Sequence, residues 1–311
     1  MSGRPTAVRI RVPATSANLG PAFDCAGLAL SCWDSLNVAV TDGGLAVAVT
    51  GEGAGKLPTD ESHLVVQAFR AACAELGWTP PGLRLTARNG IPQGRGMGSS
   101  AAAVTAGVLA AWALCPDVVE VDRAAVLRLC SALEGHPDNV APCLLGGATL
   151  SWTTPAGARA VRLDVDRRIV PVLFVPGTTL STHLARGLLP AEVPHADAAH
   201  AVGRAALLVH ALTVDPGLLA EATEDRLHQA QRAPAMPDSA ALLTRLRADG
   251  HAAVVSGAGP CVLALAVLGD DAGDPATAAE VTRLRAATPR GWQCRPLQVD
   301  AAGAVVLPPG S

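Results

Sequence analysis

Residues 92–101 read Pro92-Gln93-Gly94-Arg95-Gly96-Met97-Gly98-Ser99-Ser100-Ala101, and an alanine-rich apolar run continues from there to Leu114. Glycine reaches positive φ freely and lets a ligand come close to the backbone, so Gly94, Gly96 and Gly98 can turn successive amides into one concavity. The run Ala101–Leu114 predicts a buried helix, whose unpaired N-terminal amides would face the same point and attract a phosphate. Ser99 and Ser100 add hydroxyls at the helix start, where serine also serves as a cap. The segment alone fits a plain glycine turn with a serine cap equally well. It is neither of the two familiar nucleotide loops: no Lys-Ser or Lys-Thr follows the glycines, and Ser99 stands where a dinucleotide fingerprint needs its third glycine.

The flanking periodicity predicts an α+β chain. Val8, Ile10 and Val12 alternate with Arg9 and Arg11 as a half-buried strand does, and Pro13 is expected to end it. Leu45–Val49 and Leu83–Ala87 read as further strands, with an amphipathic helix Leu64–Leu76 closed by Gly77. A helix over Arg123–Leu133 ends at Glu134-Gly135. Strands are expected at Leu150–Thr153 and Val170–Val175, with a domain border near residue 165, giving units 1–165 and 166–311. The second unit should carry helices over Ala185–Leu189, Ala198–Leu212, Leu218–Gln231 and Ala240–Ala248, a strand pair Ala252–Ser256 and Val262–Val267, then a last helix and strand. Helices packed on mixed or antiparallel sheets are the expected architecture.

Composition removes several functions. A net charge of −3 and 3% aromatic residues leave neither the electrostatic footprint nor the stacking platforms of a nucleic-acid binder. The eight cysteines contain no C-x-x-C pair and no histidine pair at metal spacing, so buried reduced thiols are expected rather than zinc. No apolar run approaches the roughly 20 residues of a membrane span. Met1–Thr6 lacks the apolar core of a secretory signal, so a cytoplasmic protein with no membrane partner is expected. Lys56 is the only lysine. A phosphate would therefore have to be held by backbone amides, arginines and a metal.

Read with three other segments, the glycine loop resembles the P-x-x-x-G-L-G-S-S-A signature of the GHMP kinases, with Met97 in place of leucine. Val12-Pro13-Ala14-Thr15-Ser16-Ala17-Asn18-Leu19-Gly20-Pro21-Ala22-Phe23-Asp24 is similar to the first homoserine kinase motif, and Ser256-Gly257-Ala258-Gly259-Pro260 to the third. Glu134-Gly135-His136-Pro137-Asp138-Asn139-Val140-Ala141-Pro142 lies between them and is similar to the segment joining metal binding to substrate recognition. The motifs are ordered and span Val8 to about Leu268.

The resemblance implies a GHMP kinase fold, two α+β domains with an active-site cleft between them. It implies ATP-dependent phosphorylation of the side-chain hydroxyl of L-homoserine, a step of threonine biosynthesis, and it leaves room for a homodimer. By resemblance, Pro92, Gly94, Arg95, Gly96, Met97, Gly98, Ser99 and Ser100 cradle the ATP phosphates and His63 lies near the adenine. Ser100 with Glu134 holds Mg²⁺; a hard cation needs few protein oxygens, which suits this pair. Asn18, Asp24, His136, Asp138, Asn139 and Gly259 match positions around the substrate, and Arg186 and Arg232 match two arginines that grip its carboxylate. Glu134, Ser100, Thr182 and Arg186 make up the implied catalytic set, Thr182 near the acceptor hydroxyl. Asp24 and Asp138 each remain open as general base or as ammonium partner. Three departures stand out: His63 for a usual asparagine, Cys261 after Gly259-Pro260, and Ala230-Gln231 for Pro-Tyr before Arg232. Other acceptors of GHMP kinases (mevalonate, a sugar, a different amino alcohol) and a non-catalytic ligand sensor are the competing readings.

Overall fold

The computed structural model describes residues 5–269 and 278–308. The first half opens with β1 (Ala7–Ala17), β2 (Ala26–Thr41), β3 (Gly44–Gly51), α1 (Leu64–Glu75), β4 (Gly82–Asn89) and α2 (Ser99–Leu114). It continues with α3 (Arg123–Glu134), α4 (Val140–Leu145), β5 (Ala148–Thr154) and β6 (Gly157–Leu163). The second half holds β7 (Ile169–Val175), α5 (Thr182–Gly187), α6 (His195–Thr213), α7 (Leu219–Ala222), α8 (Gln229–Arg232) and α9 (Pro237–Ala248). Then come β8 (Ala252–Val255), β9 (Val262–Val267), α10 (Ala279–Ala286), β10 (Gln293–Pro296) and β11 (Val305–Leu307).

The strands form two sheets. The larger runs β11-β1-β2-β4-β3, with β5 pairing β2 and β6 pairing β5; the smaller runs β10-β7-β9-β8. Among the described residues every pairing is antiparallel except β3 with β4. Strand β11 lies in the 166–311 segment, yet its hydrogen bonds are to β1, Arg11 opposite Val305. The second segment therefore sends its last strand back to the first sheet.

Pro13 does not end β1 as the sequence predicts. The strand continues to Ala17, and the pairing with β2 shifts register between Pro13 and Ala14, a bulge that absorbs the missing amide. The bulge carries Thr15, Ser16 and Asn18 on beside the glycine loop. The long helix expected over Leu218–Gln231 is also absent: α7 stops at Ala222 and α8 starts at Gln229. Asp225 breaks the run, since its buried carboxylate accepts the N–H groups of Leu227, His228 and Gln229. Helix α2 is the central pillar, with Ala101, Ala102, Val104, Ala106, Val108 and Leu109 all buried. Its small side chains admit α1 at close range; a Cβ on Gly107 would collide with the Val65 carbonyl. Burial of that apolar face fixes where the N-terminus of α2 points.

Candidate active site

The glycine loop between β4 and α2 is held from outside by its carbonyl groups. Gly94 O accepts from Leu180 N–H at 2.9 Å, Arg95 O from Cys261 N–H at 3.2 Å, and Met97 O from Thr15 N–H at 3.0 Å. Gly96 O accepts from the Ser256 hydroxyl at 2.6 Å, and Ser16 Oγ lies 2.9 Å from that hydroxyl. Among the described residues no acceptor serves the N–H groups of residues 95–101. The loop thus spends its acceptors on the protein and keeps its donors for a ligand, which is what an anion requires. Glycine is obligatory at two of these positions. Gly96 has φ +76° and a Cβ there would strike the Ser256 carbonyl, while Gly98, at φ +67°, has Thr15 Oγ1 in the same place.

A cavity of about 460 Å³ opens in front of the loop. Gly94, Gly96, Met97, Gly98, Ser99 and Ser100 form its floor, and Glu134, His136, Asp138, Asn139, Thr182, Arg186, Arg232 and Asn18 complete its wall. Residues from both sheets' units meet there, as the sequence predicts. Five predicted residues stand elsewhere. Asp24 is outside the wall but paired to Arg186, and His63 lies in a second cavity. Pro92 and Gly259 do not reach the wall, where Gly257 and Ala258 take the place expected for Gly259. The Arg95 guanidinium is turned away, bonded to the carbonyls of Pro176 and Gly177, so only its backbone can serve a phosphate.

The Ser100 hydroxyl, in the first turn of α2, donates to Glu134, the last residue of α3. Burial raises the Glu134 carboxyl pKa, with the Ser100 bond pulling the other way. Two oxygen donors in contact beside an amide cradle suit Mg²⁺, which keeps several waters and takes further ligands from phosphate. Among the described residues no cluster of three His, Cys, Asp or Glu could hold a metal, so any ion here leans on its substrate.

The charged groups farther in are paired. Arg186 faces Asp24 with both nitrogens, Nη2 to Oδ1 at 2.6 Å and Nη1 to Oδ2 at 3.0 Å. His136 Nδ1 is 2.6 Å from Asp138 Oδ1, a bond that raises the imidazole pKa. Arg232 is 1% exposed and donates to the carbonyls of Ala185 and Gly257, both at 3.3 Å. Its guanidinium lies 5.3 Å from the centre of the Phe23 ring, and that of Arg186 5.6 Å from the same ring. Asn18 is committed on both sides: its amide nitrogen donates to Gly257 O at 3.0 Å and its oxygen accepts Asp24 N–H at 2.9 Å. Asn139 Oδ1 accepts from the Thr15 hydroxyl at 2.8 Å.

The second cavity, about 290 Å³, shares Leu64, Gly94, Ser99 and Ser100 with the first. Leu36, Leu57, Pro58 and Val65 give it apolar walls, with Asp34, His63, Asn89 and Gln93 as polar groups. His63 caps α1, Nδ1 accepting Val65 N–H at 3.3 Å, and burial lowers its pKa. Sequence reasoning missed Phe23, Thr15, Ser181, Gly257 and His228. Phe23, Thr15 and Gly257 had a signal, since each lies inside one of the motif segments; Ser181 and His228 are defined by contacts between distant segments.

The family profile described as "GHMP kinases N terminal domain" matches residues 63–147, and "GHMP kinases C terminal" matches 208–284. The homoserine kinase of Streptomyces avermitilis is 55% identical over 98% of this chain and 97% of its own. That of Clavibacter michiganensis is 51% identical over 96% of this chain and 93% of its own. Among solved structures, a homoserine kinase from Cytophaga hutchinsonii superposes with a TM-score of 0.83 at 24% identity, covering 99% of both chains. A mevalonate diphosphate decarboxylase from Staphylococcus aureus superposes with a TM-score of 0.67 at 15% identity, covering 97% of this chain and 98% of that one. At those identities the superpositions speak for the fold alone.

Proposed function

The chain belongs to the homoserine kinases of the GHMP kinase superfamily, and from that we propose how its cleft transfers the γ-phosphoryl group of ATP to the side-chain hydroxyl of L-homoserine. Phosphoryl transfer asks for alignment and for donors aimed at the transferred group. The amides of residues 94–100 hold the phosphates, and the apolar second cavity receives the base. Ser100 and Glu134 hold Mg²⁺, whose chemistry when bound is to neutralise charge on the phosphate oxygens. That help is needed because no lysine stands beside the loop.

Homoserine brings an ammonium, a carboxylate and a primary hydroxyl. Arg186 and Arg232 read the carboxylate, a geometry the planar guanidinium favours. Asp24 already faces Arg186 and Asp138 faces His136, and either aspartate can receive the ammonium. Thr182 lies in the same wall, within reach of the hydroxyl end. The hydroxyl oxygen attacks the γ-phosphorus as the bridging bond to the β-phosphate breaks, ADP keeps that bond's electron pair, and the hydroxyl proton passes to solvent. No general base is assigned: among the described residues both wall carboxylates, Glu134 and Asp138, have a side-chain partner, and so does Asp24 outside the wall.

The observation that carries this reading is the set of Arg186, Arg232 and Asp138 facing the floor of unpaired amides, with Asp24 bonded to Arg186 just outside the wall. The deciding experiment is steady-state ADP release with L-homoserine, homoserine amide and 4-hydroxybutyrate. Losing one partner of a charge-assisted contact costs on the order of 2–5 kcal/mol, so each analogue should fall about 30-fold to several thousandfold in kcat/KM. Equal efficiencies for acid and amide would exclude an α-amino acid as acceptor.

A further inference from the structure

We infer that His228 is the positioning residue of Arg232, a buried neutral imidazole that aims the arginine into the acceptor pocket and ties it to the turn at Asn18–Gly20. The inference rests on the reading above, in which Arg232 grips the substrate carboxylate. His228 is fully buried. Its Nδ1 lies 3.1 Å from Arg232 Nη1, and its Nε2 lies 2.9 Å from the Gly20 carbonyl oxygen. A guanidinium only donates, so Nδ1 must present its lone pair; a carbonyl only accepts, so Nε2 must carry the proton. One of the three forms of imidazole meets both demands, the neutral Nε2–H tautomer. An imidazolium would set N–H against N–H, and the other tautomer would break both bonds.

Burial favours the same neutral form and outweighs the charged groups around the ring. Burial and the Arg232 charge lower the His228 pKa, against Asp225 at 3.7 Å, the Gly20 bond and the more distant Asp24. Asp225 also fixes the ring's backbone by accepting His228 N–H at 3.1 Å. Phe23 closes the remaining face, its ring centre 5.1 Å from that of His228, and both arginines lie over the same phenyl. The far end of the relay matters because Asn18, Leu19 and Gly20 all hold positive φ, at 71°, 46° and 89°. Asn18 in turn accepts the backbone N–H of Asp24, the partner of Arg186. One imidazole therefore couples the buried arginine to the turn that carries the opposing carboxylate.

Two substitutions separate its two bonds. His228→Asn keeps an acceptor at the Nδ1 position for Arg232 but gives up the reach to Gly20; His228→Gln keeps a donor toward Gly20 and gives up the acceptor. The expected result is a KM for homoserine raised about tenfold in His228→Gln, with the KM for ATP unchanged and the preference for acid over amide reduced. His228→Asn should lie closer to the unaltered enzyme. Arg232→Ala, run alongside, guards the premise: if it leaves the acid-over-amide preference intact, the carboxylate reading itself fails. If Arg232→Ala flattens that preference and His228→Gln does not, only the role of His228 is overturned. Equal losses in both His228 variants, or a parallel rise in the ATP KM, would mark a merely structural residue. Imidazole ¹⁵N spectra of the unaltered protein near neutral pH serve where a variant does not fold: a neutral Nε2–H ring at His228 is expected, and an imidazolium or Nδ1–H ring overturns the inference.

Discussion

Asp24 and Arg186 meet through two bonds, so a substrate carboxylate that takes the guanidinium must displace an acceptor already in place. On the proposed reading, discrimination between acceptors depends on how well a ligand replaces that pair, its carboxylate taking Arg186 and its ammonium compensating the freed Asp24 or Asp138. At Ser100 and Glu134 the expectation is simpler. Each is one of few oxygen donors, so Ser100→Ala or Glu134→Ala should lower kcat by roughly a hundredfold or more. Near-normal turnover at saturating Mg²⁺ in both variants would remove them from the reaction. Asp34 lends itself to a test by pH. Its Oδ1 accepts Gly90 N–H at 2.8 Å and Ile91 N–H at 2.9 Å, and burial pushes the carboxyl up to about 6 from 3.8. The folded protein therefore holds a proton that the unfolded chain releases, and the favourable contribution present below pH 4 is lost as pH rises through about 6. Asparagine keeps the acceptor without the charge. In urea titrations, Asp34→Asn should exceed the unaltered protein in stability at pH 8 by on the order of 2–3 kcal/mol, and match it near pH 4. A gap independent of pH would contradict the buried-charge account. Residue types at motif positions were legible in the sequence; which carboxylate faces which cation was not, because Asp24 and Arg186 are brought together only by the closure of two distant segments.

Among elements, those with one clear period were readable and those built by tertiary demand were not. Helices α1, α2 and α3 follow the predicted spans within a few residues; apolar faces and following glycines mark α1 and α3, and an unbroken alanine-rich apolar run marks α2. The 16-residue β2 escaped, as Ser31, Cys32, Asp34 and Ser35 interrupt its alternation, and it is buried on both sides only along Ala26–Leu30. Helix α4, six residues with Pro142 inside, lacks the length for a period to show. The glycine loop was readable because its glycines answer a backbone requirement, and that requirement can be tested directly. Gly96→Ala forces a Cβ onto the Ser256 carbonyl at a φ of +76°, so it should cost about 2 kcal/mol or more and raise the KM for ATP. Gly177→Ala, where nothing lies within 4 Å of the added methyl, is the control and should leave stability within about 0.5 kcal/mol. Equal melting temperatures for the two variants would mean that the loop relaxes around the methyl.

At the scale of the whole molecule, two sheets are joined where their loops interlock at Gly96, Ser256 and Ser16, and again where the chain returns to β1 as β11. Trp33 Nε1–H donates to Asp300 at 2.6 Å, and Asp300 also accepts the N–H groups of Ala302 and Gly303, so this return is anchored and not merely laid alongside. A chain stopped at Gln298 should lose β11 and this anchor together, exposing the outer edge of β1. Its soluble yield should drop and its melting transition broaden or vanish; an unchanged transition would show that the return is dispensable. The contact also sets a clock on biosynthesis. Trp33 and Asp300 lie 267 residues apart, and at about 5–20 residues per second roughly 15–50 s pass between their emergence from the ribosome. For that interval the outer edge of β1 waits for β11 while neighbouring nascent chains on the same message present the same edge, so slower translation should lower the soluble yield of this kinase, and a yield independent of translation rate would remove the contact from biosynthesis.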